Sequence, residues 1–65
     1  MITLERFHGG KVVLDAKDVF AVEDMDDIGE GHTGCQVYVE CGQAWVIFEV
    51  KGEALKVWGE IVNRR

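Results

Sequence analysis

Residues 35–50, CQVYVECGQAWVIFEV, decide the fold. Gly42 and Gln43 separate two runs of alternating strand formers, and a two-residue turn at these positions predicts an antiparallel hairpin. On one face the turn aligns four apolar pairs: Cys41–Ala44, Val39–Val46, Val37–Phe48 and Cys35–Val50. We expect this face to be core.

The opposite face of this hairpin is also apolar in its middle. Its pairs are Glu40–Trp45, Tyr38–Ile47 and Gln36–Glu49. An antiparallel sheet that buries one face commonly leaves a polar second face, so the apolar middle needs a cover. We predict that Tyr38, Trp45 and Ile47 form an interaction face that meets a partner or a second copy. The alternative is that the first hairpin or the third strand folds over them as ordinary core.

The sequence before this segment predicts a hairpin and a short strand. Gly9 and Gly10 suit a tight turn, and a three-residue loop from His8 to Gly10 would pair Leu4 with Leu14. Residues 18–24, DVFAVED, are enriched in strand formers and predict a third strand.

The last segment changes to helical spacing. Residues 52–63 predict a C-terminal helix, whose apolar stripe is Ala54, Leu55, Trp58, Ile61 and Val62. The sequence therefore predicts a single α+β domain over residues 1–65. Its small antiparallel sheet has four to five strands, two hairpins plus a short strand, and the helix packs on one face.

Length and charge limit the classes of function. A chain of 65 residues buries only about 60% of the surface of its unfolded form, so we expect marginal stability. Twelve acidic residues against seven basic ones give a net charge of −5, which disfavours nucleic acid and anionic membranes as partners. Residues 1–10 carry charge early and have no signal-peptide pattern, so a cytoplasmic location is expected.

Residues 24–34 predict one long acidic loop. They contain three glycines and four carboxylates; these carboxylates belong to Asp24, Asp26, Asp27 and Glu30. A solvated loop is one interpretation. The other is that the carboxylates imitate phosphates and occupy a basic surface on a partner. The spacing gives little support to a calcium loop, since Cys35 stands where a glutamate ligand belongs.

Catalytic and metal chemistry find no support in the residues. The chain has no serine, so a Ser-His-Asp triad is excluded, and no phosphate-binding glycine motif occurs. Cys35 and Cys41 would lie about 20 Å apart on one strand, too far to share a zinc ion or to form a disulfide. We expect reduced thiols, no cofactor, no metal and no enzymatic activity.

Three stretches carry a family resemblance: residues 1–23, MITLERFHGGKVVLDAKDVFAVE; Thr33 and Gly42; and residues 53–62, EALKVWGEIV. With hairpin, short strand, hairpin and helix in this order, the chain resembles the FlbD-type small proteins of flagellar and swarming operons. Gly9-Gly10 and Asp15 stand where that family usually has an Asn-Gly turn and an asparagine. The resemblance implies a small non-catalytic accessory protein and supplies no catalytic residues.

These observations favour a cytoplasmic protein-interaction module, self-associating as a homodimer or larger and acting as an accessory or regulatory protein. Two alternatives stay open. Size and charge also resemble those of phage inhibitors that block a basic surface of a host or defence protein. An oligomer that sequesters a small ligand between protomers is the other.

Overall fold

The computed structural model describes residues 1–26, 29 and 31–65. Five strands and two helical segments follow one another in these ranges. They are β1 (Ile2–Glu5), β2 (Lys11–Leu14), a 3-10 helix (Ala16–Asp18), β3 (Val19–Asp24), β4 (Gly34–Cys41), β5 (Ala44–Lys51) and α1 (Ala54–Asn63). The protein is thus a small α+β structure with a C-terminal helix, as its sequence predicts.

The strands form two antiparallel sheets, where we expected one. β1 and β2 make a two-stranded sheet, and β3, β4 and β5 make a three-stranded sheet in that order. The residues just after β1 connect them, through a bridge between Arg6 and Val50 and a 2.8 Å hydrogen bond from the Phe7 N–H to the Glu49 carbonyl. At this corner the chain passes from the first sheet to the second, and the Phe7 N–H finds its acceptor on β5.

The second hairpin has the predicted register along its whole length. Gly42 and Gln43 form the turn, and all seven predicted pairs occur, from Cys41–Ala44 to Cys35–Val50. Alternation over two eight-residue strands and a short turn leave one register that keeps the apolar pairs together.

The predicted register of the first hairpin was wrong. Ile2 pairs with Leu14 and Leu4 with Val12, so the loop spans the five residues 6–10 rather than three. Arg6 and Phe7 pair with β5 instead of extending β1, while the Arg6 N–H still donates to the Gly10 carbonyl within the loop. The error is a shift of two residues, so Ile2, Leu4 and Leu14 still share the buried face.

Both sheets and the helix contribute to one core. Its fully buried members come from three strands, the 3-10 segment and the helix: Ala16, Val19, Cys35, Val37, Val50 and Ile61. The helix packs against β3 and β4 on the inner face of the three-stranded sheet. Its C-terminal end is tied down by Arg65, whose guanidinium bonds the Ala16 and Val19 carbonyls and lies 4.9 Å from the Trp58 ring centre.

Two details of the predicted core require correction. The inner face of the second hairpin is buried at Cys35, Val37, Val39 and Val50, whereas Cys41, Ala44 and Val46, near the turn, are exposed. The helix and the first sheet do not cover this end of the hairpin.

The helix also presents a different stripe from the one predicted. It begins at Ala54, and Val57 and Ile61 are its buried residues, whereas Leu55 and Val62 face solvent. Val57, three residues after Ala54 and four before Ile61, completes a regular helical face that excludes Leu55.

Candidate interaction face

The outer face of the three-stranded sheet carries an exposed aromatic cluster. Tyr38 and Trp45 lie 5.8 Å apart between ring centres, and Phe20 lies 6.1 Å from Tyr38 and 6.5 Å from Trp45. Trp45 is 58% exposed, Phe20 52% and Ile47 42%, while Tyr38 is half-buried. We call Phe20, Tyr38, Trp45 and Ile47 the aromatic face. Neither the first hairpin nor the third strand covers it within the described ranges.

The sequence pattern placed three of these four residues together and missed Phe20. Simple alternation cannot place β3, because its register with β4 shifts between Val19 and Ala21. This bulge lets Val19 and Val22, three residues apart, both face inward, opposite Val39 and Val37. Phe20 is the extra residue, and its ring turns outward onto Tyr38. The available signal was the spacing of Val19 and Val22: two valines three residues apart cannot share one face of a regular strand, and the aromatic Phe20 stands between them.

Carboxylates border the aromatic face. The Tyr38 hydroxyl donates to Glu23 Oε1 at 3.0 Å, and this hydrogen bond, with smaller effects of burial and of the Glu23 charge, raises the pKa of Tyr38. Glu40 lies opposite Trp45 in the sheet. At the other end, Glu49 Oε1 lies 3.1 Å from His8 Nε2. The face therefore has an apolar centre and an acidic rim.

The predicted acidic loop over residues 24–34 divides into parts with different roles. Asp24 belongs to β3 rather than to a loop, and its carboxylate accepts a 2.9 Å hydrogen bond from the Ala54 N–H at the start of the helix. Asp26 is exposed. Asp27 and Glu30 lie outside the described residues. The Asp24 carboxylate thus has a structural role at the start of the helix, which neither interpretation of the acidic loop predicted.

The two thiols occupy opposite environments. Cys35 is fully buried, and burial, with a smaller effect of the Asp24 charge, raises its pKa from 9.0 to about 11. Cys41 is exposed, and both are free thiols.

In the described ranges no group of three or more His, Cys, Asp or Glu side chains could hold a metal ion. The described ranges also contain no helix with the length and apolar character needed to cross a membrane.

Comparisons with protein-family models, with curated proteins and with solved structures found no match to this chain. The resemblance to FlbD-type proteins stays a prediction.

Proposed function

We propose that this protein is a non-catalytic interaction module of the cytoplasm, which self-associates and binds another protein through its aromatic face. The exposed cluster of Phe20, Tyr38 and Trp45 carries this proposal. Aromatic residues are enriched at the centres of protein interfaces, and they dominate binding energy where they become fully desolvated. A chain this small has little apolar surface to spare for solvent, so a face of this composition is best explained by a partner.

The acidic rim indicates the chemistry of that partner. Glu23, Glu40 and Glu49 surround the aromatic face. A protein with an apolar centre and lysine or arginine around it would complement both parts. Rim charges act mainly on the association rate and are screened by salt. Binding should therefore weaken as ionic strength rises, mostly through slower association.

The Trp45→Lys variant tests the proposal. Trp45 stands opposite Glu40, so the new ammonium group gains a carboxylate across the strands and the hairpin should persist. Leu55→Lys is the matched control, because Leu55 is 86% exposed on the helix and the added charge is the same. We expect Trp45→Lys to reduce the mass in light scattering and the capture of cellular proteins. Circular dichroism should stay unchanged, and Leu55→Lys should alter neither quantity.

Equal mass and equal capture for the wild type and both variants would contradict the proposal.

The acidic inhibitor is a second candidate, which the rim supports because it provides carboxylates outside the loop. It predicts that Glu40→Gln and Asp26→Asn together weaken a complex that dissociates with salt. A complex that is indifferent to salt and to both changes would exclude it. The ligand-sequestering oligomer stays a prediction.

A further inference from the structure

The outer edge of β5 exposes backbone groups that can extend the sheet. β5 is the last strand of the three-stranded sheet, and β4 occupies its other side. Residues of an antiparallel strand point their N–H and C=O groups alternately to the two sides. The Glu49 carbonyl accepts from Phe7 and so points away from β4. Ile47 and Trp45, two and four residues earlier, must point their backbone groups the same way.

Among the described residues, no backbone group pairs with this part of the edge. The bridge from β1 ends at Glu49 and Val50, which leaves residues 44–48, AWVIF, as an open edge. Natural edge strands are usually protected by lysine, proline, a bulge or a covering element. This segment has none of the first three, and Trp45, Val46 and Ile47 are exposed. An apolar open edge is a site for strand addition.

We infer that the occupant of this edge is β5 of a second copy, antiparallel about a twofold axis at Val46. The inference rests on the self-association proposed above and gives its geometry. In this register Trp45 pairs with Ile47 of the partner subunit, and Ile47 with the partner's Trp45. All outward N–H and C=O groups of these two residues are then bonded. The sheets join into one of six strands.

The sequence is self-complementary in this register. On the inner face Val46 meets the partner's Val46, and Ala44 meets the partner's Phe48. On the outer face each indole lies against an isoleucine. Glu49 falls opposite the partner's Gln43, so no two like charges are paired. Moving the axis to Ile47 would require the Glu49 carbonyl, which Phe7 already bonds, and moving it to Trp45 would leave Ile47 opposite Gln43.

Charge favours edge pairing over stacking of two aromatic faces. Stacking would bring the carboxylates of Glu23, Glu40 and Glu49 from both copies together, on chains of net charge −5. Pairing at the edge instead places the two aromatic faces side by side on one surface. It also covers Val46, which is 43% exposed on the inner face beyond the reach of the helix. Each dimer would thus offer a doubled face to another protein.

Cysteine cross-linking tests this geometry. A Val46→Cys change, made with Cys41→Ser, places two thiols at the twofold axis, where directly opposed residues approach to about 4.5 Å between Cα atoms, within disulfide range. Val13→Cys with Cys41→Ser is the control, because Val13 is an exposed valine on β2. We expect mild oxidation to link the Val46→Cys chains at least about tenfold faster. Equal rates would overturn the inference.

Mass measurements give an independent readout. We expect the wild type to have twice the 7.3 kDa mass of the single chain. Val46→Lys sets two like charges against each other at the axis and should raise the dissociation constant about tenfold or more. Val13→Lys should leave it unchanged. A wild type that stays monomeric at micromolar concentrations, or a dimer indifferent to Val46→Lys, would overturn the edge geometry.

Phe20→Lys separates this inference from the proposed function. Phe20 lies on β3, at the opposite side of the sheet from the β5 edge. Edge pairing should therefore survive this change, while binding of another protein through the aromatic face should weaken. A dimer that Phe20→Lys dissolves and Val46→Lys does not would show stacked faces and refute edge pairing. If the protein is monomeric and Phe20→Lys still reduces its capture of another protein, only the dimer is refuted.

Discussion

At the residue scale, the buried thiol of Cys35 makes stability depend on alkaline pH. Its pKa of about 11 in the folded chain exceeds the 9.0 of the unfolded chain. Below pH 9 the thiol is protonated in both the folded and the unfolded chain, so the free energy of unfolding is unaffected. Between pH 9 and 11 the unfolded chain releases the proton more readily than the folded chain, so the free energy of unfolding falls. We expect the free energy of unfolding to fall by about 2 kcal/mol through this group by pH 11. Urea denaturation at several pH values would measure it.

The matched variants for this prediction are Cys35→Ala and Cys41→Ser. Cys35→Ala should show a smaller loss of stability over that pH range, although its stability at neutral pH is lower. Cys41→Ser should follow the wild type, since Cys41 is exposed. The same alkaline slope in Cys35→Ala would show that the thiol has no such effect.

Two glycines should respond in opposite ways to alanine. A Cβ atom at Gly34 would lie 2.7 Å from Phe7 Cδ1 and 3.1 Å from Met25 Sδ, whereas at Gly59 it would meet nothing within 4 Å. Gly34→Ala should therefore lower the free energy of unfolding by about 1 to 3 kcal/mol through overpacking. Gly59→Ala should raise it by about 1 kcal/mol through helix propensity. Thermal denaturation of both variants checks the signs, and a neutral Gly34→Ala would refute the tight contact.

At the element scale, the start of the helix depends on β3. Glu53 makes no side-chain cap, and the Asp24 carboxylate receives the Ala54 N–H instead. Asp24→Ala should cost about 1 kcal/mol of stability, and Asp24→Asn should retain most of it because the amide oxygen still accepts. Asp26→Ala removes the same charge from an exposed position and should have little effect. Equal losses for Asp24→Ala and Asp26→Ala in chemical denaturation would rule out the cap.

Elements set by local pattern could be predicted, and those set by distant contacts could not. The register of β4 and β5 follows from alternation and the turn at Gly42, which placed Tyr38, Trp45 and Ile47 on one face. The predicted register of the first hairpin was wrong because Arg6 pairs with β5, and local spacing does not reveal this contact. The bulge that turns Phe20 outward similarly depends on packing against β4.

At the scale of the whole molecule, marginal folding and dimerisation should be linked. A single core of 65 residues leaves little net stability, so any dimer stabilises the folded chain in proportion to the logarithm of protein concentration. We expect Tm to rise by about 3 to 5 °C for each tenfold increase in wild-type concentration. Val46→Lys should displace this dependence to protein concentrations at least about tenfold higher, because it opposes like charges at the axis, while Val13→Lys should leave it unchanged. Scanning calorimetry or fluorescence over a hundredfold range gives the measurement, and a wild-type Tm that is constant over that range would leave the open edge of β5 without its proposed occupant.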